Sequence, residues 1–91
     1  MEQRISGREI IMFIAMFGLW DAWITTDGLP EGGIEFRKRG SKFDGYDEIS
    51  YGLHANGKYD IEVWIEPGKE IDGRWEQVQT GDIFSMGVYD G

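Results

Sequence analysis

Tyr46-Asp47-Glu48-Ile49-Ser50-Tyr51-Gly52-Leu53-His54-Ala55-Asn56-Gly57-Lys58-Tyr59-Asp60-Ile61-Glu62-Val63-Trp64-Ile65-Glu66 is the stretch whose reading decides the fold. Apolar and polar residues alternate on both sides of Ala55-Asn56-Gly57, the pattern of two half-buried strands joined by a hairpin. Two registers compete. A two-residue Asn56-Gly57 turn pairs Ala55 with Lys58 and sets Leu53, Tyr51 and Ile49 opposite Asp60, Glu62 and Trp64. A three-residue loop, a type I turn with Gly57 in the left-handed position, pairs His54 with Lys58 and sets the same three residues opposite Tyr59, Ile61 and Val63. Slipping a register by one residue moves every side chain to the other face, so only the second arrangement gives one apolar and one polar side. The sequence therefore predicts a hairpin with a G1 bulge.

That register gathers Glu48, Ser50, Asp60, Glu62, Trp64 and Glu66 on the polar side, with Tyr46 opposite Glu66. Carboxylates at alternate positions of a strand lie roughly 6.8 Å apart, about twice the rise of one nucleotide along a DNA strand. Tyr46, Glu48, Asp60, Glu62, Trp64 and Glu66 are thus the candidate partner-binding residues, a row that a basic cleft shaped for phosphates could accept. The plainer alternative is an ordinary solvated face whose charges discourage edge pairing. Trp64 favours recognition, because tryptophan pointing away from a core is costly in water and enriched at binding hot spots.

Downstream, Pro67-Gly68 and Asp72-Gly73 read as tight turns, and Trp75 to Gln79 with Ile83 to Tyr89 reads as a second hairpin around Thr80-Gly81-Asp82. Phe84, Met86 and Val88 are expected to face the core, with Trp75 beside them, although alternation between Glu76 and Thr80 is weak. Upstream, Ile34 and Phe36 alternate with Glu35 and Arg37 in a strand ending near Arg39. Ser6-Gly7-Arg8-Glu9 reads as a capping box with Ile5 and Ile10 at the staple positions, opening a helix from about Gly7 to about Thr25.

Between Ile10 and Ile24 only Asp21 is polar, so this helix must be covered on most sides. Ile11, Ala15, Gly18 and Ala22 form a narrow, mostly small stripe at helical spacing, opposite Phe13, Phe17, Trp20 and Ile24. The stripe is either the least buried side or a close helix contact in a homodimer or with a partner. Asp21 sits either at the solvent edge or as a buried carboxylate.

The resulting fold class is α+β: one N-terminal helix packed on an antiparallel sheet of four to five strands, in the order helix, strand, hairpin, hairpin. Ninety-one residues without a linker make one domain, 1–91. No cysteine excludes disulfides and thiolate chemistry and fits a reducing compartment, so a cytoplasmic location is expected. Ile10 to Trp20 is too short for a bilayer span, and Trp20-Asp21-Ala22-Trp23 is a poor cleavage site, so neither membrane nor secretion is expected.

The net charge is −8, and residues 1–43 carry six basic and six acidic side chains, so the whole excess lies in residues 44–91. Such a surface repels phosphate backbones and attracts a basic protein. The exception is Arg37, Lys38, Arg39 and Lys42, read as an internal counterweight. Asp44-Gly45-Tyr46-Asp47-Glu48 lacks the spacing of a calcium loop, and the lone His54 sits at a hairpin end. No glycine-rich phosphate loop is present. No catalytic residue, metal ligand or cofactor is therefore assigned, and the expectation is no enzyme. The expected function is a small acidic inhibitor that occupies a basic, nucleic-acid-binding surface of a partner protein. The analogy, of charge and size alone, is to phage anti-defence or anti-CRISPR proteins. The alternative is an assembly module that dimerises or docks through its apolar helix.

Overall fold

The computed structural model describes residues 4–25, 32–39, 46–70 and 72–85. An N-terminal helix α1 (Gly7–Phe17) is followed by a 3₁₀ turn (Leu19–Asp21) and strands β1 (Trp23–Thr25), β2 (Ile34–Arg39), β3 (Glu48–Leu53), β4 (Lys58–Ile65) and β5 (Arg74–Asp82), then a 3₁₀ turn (Ile83–Ser85). The five strands form one antiparallel sheet in the order β1-β2-β3-β4-β5, and α1 lies on one side of it. The α+β architecture read from the sequence is the one observed.

The deciding hairpin has the predicted register: Leu53 pairs with Tyr59, Tyr51 with Ile61 and Ile49 with Val63. His54 N–H donates to Lys58 O at 2.8 Å, Gly57 N–H donates to His54 O at 2.9 Å, and Gly57 has φ +90°. A residue with a Cβ pays for that backbone conformation, which is why glycine ends the loop. Leu53, Tyr51, Ile49, Ile61, Val63 and Tyr59 are all buried and form the core with Phe36, Phe13, Leu19 and Ile83.

Three sequence expectations change. Helix α1 stops at Phe17 rather than near Thr25, because Gly18 adopts φ 64°, ψ 45° and returns its N–H to Ile14 O. A left-handed glycine C-cap of this kind redirects the chain. Residues expected in the last helical turns instead form the first 3₁₀ turn and β1, where Trp23 pairs with Arg37 and Ile24 with Phe36. Periodicity alone could not separate these states, since an unbroken apolar run satisfies helix and strand equally.

The second change concerns Thr80-Gly81-Asp82, which is not a hairpin turn. β5 runs straight through it, and Gly81 pairs with Tyr59. A Cβ at Gly81 would run into the Tyr59 phenol ring, so this glycine serves close packing rather than chain reversal. Ile83 turns inward to full burial and Phe84 packs against the core, whereas Met86 and Val88 lie outside the described residues.

Thirdly, Trp75 does not join the core. Gln77 pairs with Glu62 and Gln79 with Ile61, so Val78 is an extra residue in β5 and the strand changes phase there. This bulge explains the weak alternation between Glu76 and Thr80, and it leaves Trp75 paired with Trp64 on the side away from α1.

The capping box forms as expected: Ser6 N–H and Ser6 Oγ both donate to Glu9 Oε1, at 2.7 and 2.5 Å. These bonds, led by the Ser6 hydroxyl, hold the Glu9 carboxyl below its ordinary range. Ile5 and Ile10 pack against the core, and Ile5 N–H donates to Ala55 O at 2.8 Å, joining the helix start to the hairpin loop. No helix among the described residues is long and apolar enough to cross a membrane.

Candidate functional site

Pairing fixes which side chains share the sheet face opposite α1. Arg37 lies beside Ser50, Ser50 beside Glu62 and Glu62 beside Gln77, while Glu35, Gly52 and Asp60 form the neighbouring row. Glu48 flanks Arg39, and Trp64 faces Trp75. The polar residues predicted for this face are therefore on it, with Tyr46 as the exception. Tyr46 precedes β3, where the chain bends at Asp47, and its ring packs against the core cluster.

Small residues in the central strand let long neighbours close over it. Glu35 is only 8% exposed; it accepts from Ser50 Oγ at 2.8 Å and from Arg37 Nε at 3.2 Å. Arg37 also reaches Glu48 Oε1 at 3.6 Å, and its guanidinium lies 5.3 Å from the centre of the Trp75 ring. The two tryptophans meet edge to face at 5.5 Å, an arrangement that exploits the ring quadrupoles. His54 Nε2 lies 3.2 Å from Asp60 Oδ2. Beyond them the Glu66 carboxyl lies close to the Asp47 carboxyl and to Trp64.

Charge crowding is visible in the acidities. Burial, then the nearby Asp60 and Glu35 carboxylates, push Glu62 above the ordinary glutamate value of 4.5. The hydrogen bond to Asp47, more than burial or that group's charge, raises Glu66 as well. Because Glu62 holds its proton more tightly when folded, its ionised form weakens the fold, and the penalty is relieved as pH falls through the raised pKa. Glu62→Gln should accordingly raise the melting temperature at pH 7, and the gain should vanish below about pH 4.5, where the parent carboxyl is itself neutral. Melts monitored by circular dichroism across pH 3.5–8 would check this; an equal gain at every pH would show that charge is not the cause.

Comparison of the sequence with protein-family models and curated proteins, and of the fold with solved structures, found no match. What the site does must then be argued from its own groups.

Glu35, Trp75 and Gln77 were not among the candidate residues read from the sequence. Alternation placed Glu35 on a polar strand side, but only the pairing of β2 with β3 puts it beside Ser50 and Gly52. Trp75 was hidden by the bulge. The expected counterweight is present in part: Arg37 pairs with Glu35 and Glu48, and Lys38 pairs with Asp21 at 3.2 Å, whereas Lys42 lies outside the described residues. Asp21 is the solvent-edge carboxylate, its side chain 79% exposed.

The predicted helix stripe has a different geometry. Ile11 and Ala15 are exposed on α1, but Gly18 is the C-cap and Ala22 precedes β1, so the four residues do not line one helix face. A shallow hollow of about 330 Å³ runs along α1 beside Arg8, Met12, Ala15 and Met16, on the side of the sheet away from the carboxylates. Among the described residues no group of three His, Asp or Glu side chains is placed to hold a metal ion.

Proposed function

We propose that this protein is an acidic protein-binding module whose open sheet face seats a basic surface of a partner. The observation that carries the reading is the gathering of Glu35, Asp60 and Glu62 on a face where Arg37 already serves two carboxylates, a crowding that adds to burial in raising the Glu62 pKa. A cationic partner relieves that crowding, and the adjacent Trp64–Trp75 pair adds apolar contact and a site for a guanidinium. Inhibition follows if the partner's basic surface is the one it uses for nucleic acid, since both ligands would compete for the same cations.

An arginine-rich peptide is a suitable probe, followed through tryptophan fluorescence at low and high salt. The expected result is binding that weakens as salt rises, as electrostatic complementarity requires. Glu62→Lys combined with Glu66→Lys should weaken it at least tenfold without lowering the melting temperature, because Glu66 is exposed and the Glu62 charge does not stabilise the fold. Undiminished binding by a folded double variant would overturn the assignment of this face. A pull-down from native host extract with parent and double variant would then name the partner.

A further inference from the structure

Where the chain returns from β4 to β5, a residue without a side chain lies against the aromatic part of the binding face. Gly73 directly precedes β5 and is half-buried. A Cβ there would stand 2.5 Å from Trp64 Cζ2, 2.8 Å from Trp64 Cη2 and 3.2 Å from Pro67 Cδ. Carbon atoms in good contact lie about 3.5–4.0 Å apart, so any side chain at this position would collide with the outer ring of the indole. Backbone conformation does not call for glycine here, since the glycines with positive φ among the described residues are Gly18, Gly32 and Gly57. What Gly73 supplies is room. Gly68, in the same connection, has open space where a Cβ would be and supplies nothing of the kind.

Trp64 is one end of a bridge across the face. Its ring meets Trp75 edge to face at 5.5 Å, and the Arg37 guanidinium lies 5.3 Å from the centre of the Trp75 ring. Arg37 belongs to β2 and Trp75 to β5, with β3 and β4 between them, so the two side chains lean toward each other over the sheet to meet. Glu62, two residues before Trp64, shares its side of β4. An indole free to turn about its two side-chain bonds would have to be ordered when a partner binds, and that ordering costs affinity; an indole already held avoids the cost.

We propose that Gly73 is a positioning residue for partner recognition: by leaving room for Trp64 against the chain, it fixes the Trp64–Trp75–Arg37 bridge before the partner arrives. The inference rests on the reading of this face as the contact for a basic protein surface, and it adds to that reading a preformed aromatic anchor beside the carboxylates. The collision made by a methyl group at position 73 falls on the far end of a side chain outside the core cluster, so swinging Trp64 away relieves it and the backbone stays. Gly81 is the contrast, because its missing Cβ faces the buried Tyr59 ring. Gly73→Ala should therefore leave the fold and the carboxylates in place and displace the anchor.

Two measurements test this, each with Gly68→Ala as the control. Coupled indoles give an exciton band in the circular dichroism spectrum, which should persist in Gly68→Ala and collapse in Gly73→Ala. Titration calorimetry with the arginine-rich peptide should show Gly73→Ala binding about fivefold or more weaker than the parent, with Gly68→Ala unchanged. Trp64→Phe removes the two atoms nearest Gly73, so in that background Gly73→Ala should cost no further affinity. A folded Gly73→Ala that keeps the exciton band and the parent affinity would overturn the proposal, as would an equal loss of affinity in the Trp64→Phe background. Should Gly73→Ala alone not fold, its combination with Trp64→Phe must fold, because the collision is gone; failure of the combination to fold would count equally against the proposal. Failure of the parent to bind the peptide would instead remove the binding face itself, and this inference with it.

Discussion

Phe13→Ala should cost about 3–5 kcal/mol, the range for truncating a fully buried phenylalanine. Phe13 is 0% exposed and is the apolar residue that α1 buries completely. Its ring centre lies 5.1 Å from Phe17, 5.9 Å from Phe36 and 5.4 Å from Tyr59, so it joins the helix to β2 and β4. Removing it leaves a cavity beneath the helix that neighbouring rings cannot refill without leaving their own sites on the sheet. A domain of this size has a total stability of about 5–14 kcal/mol, so the variant would retain a small part of it or unfold. Urea denaturation followed by far-ultraviolet circular dichroism measures the loss. Ile11→Ala, two residues away and 59% exposed, is the matched control and should change stability by less than about 0.5 kcal/mol. Equal losses would mean that the helix does not sit on the sheet through Phe13.

Gly57→Ala is the second large effect, expected at about 2–5 kcal/mol. One part is backbone: holding a non-glycine residue at φ +90° costs about 1–2 kcal/mol. The other is steric, because the new methyl group would enter the Phe84 ring and stand 3.3 Å from Asp82 Oδ1, an overpacking cost of about 1–3 kcal/mol. The site cannot relax freely. Ile83 N–H donates to Gly57 O at 2.8 Å and Phe84 N–H donates to Asp82 Oδ1 at 2.9 Å, so the hairpin loop and the end of β5 are bound together. A double-mutant cycle with Phe84→Ala separates the two parts: the steric share should be recovered and the backbone share should remain. Strict additivity of the two losses would show that Phe84 does not enclose Gly57.

The hairpin was legible in the sequence because three signals agreed: alternation on both arms, a glycine able to take positive φ, and a register that leaves only one face apolar. The acidic face followed from it, so Glu48, Asp60, Glu62, Trp64 and Glu66 were found by the same argument. Tyr46 was misplaced because alternation was extended past the bend at Asp47. Glu35 and Trp75 needed knowledge of which strands are neighbours and where β5 gains a residue, and neither is encoded in local spacing.

The run from Ile10 to Ile24 shows the same division from the other side. Its first half carries a capping box and a 3.6-residue apolar face, and both were readable. Its second half is apolar without a period, and helix, turn and strand satisfy such a run equally. What broke the tie was tertiary: β2 offers an edge at which Trp23 and Ile24 pair, and Gly18 gives the chain a place to turn toward it. Sequence alone determined the fold class, the helix start, the central hairpin and the segregation of charge, because each rests on local chemistry or on a count. Only the tertiary structure decided the helix end, the fifth strand and the partnership of Trp64 with Trp75, because each depends on which distant strand lies alongside.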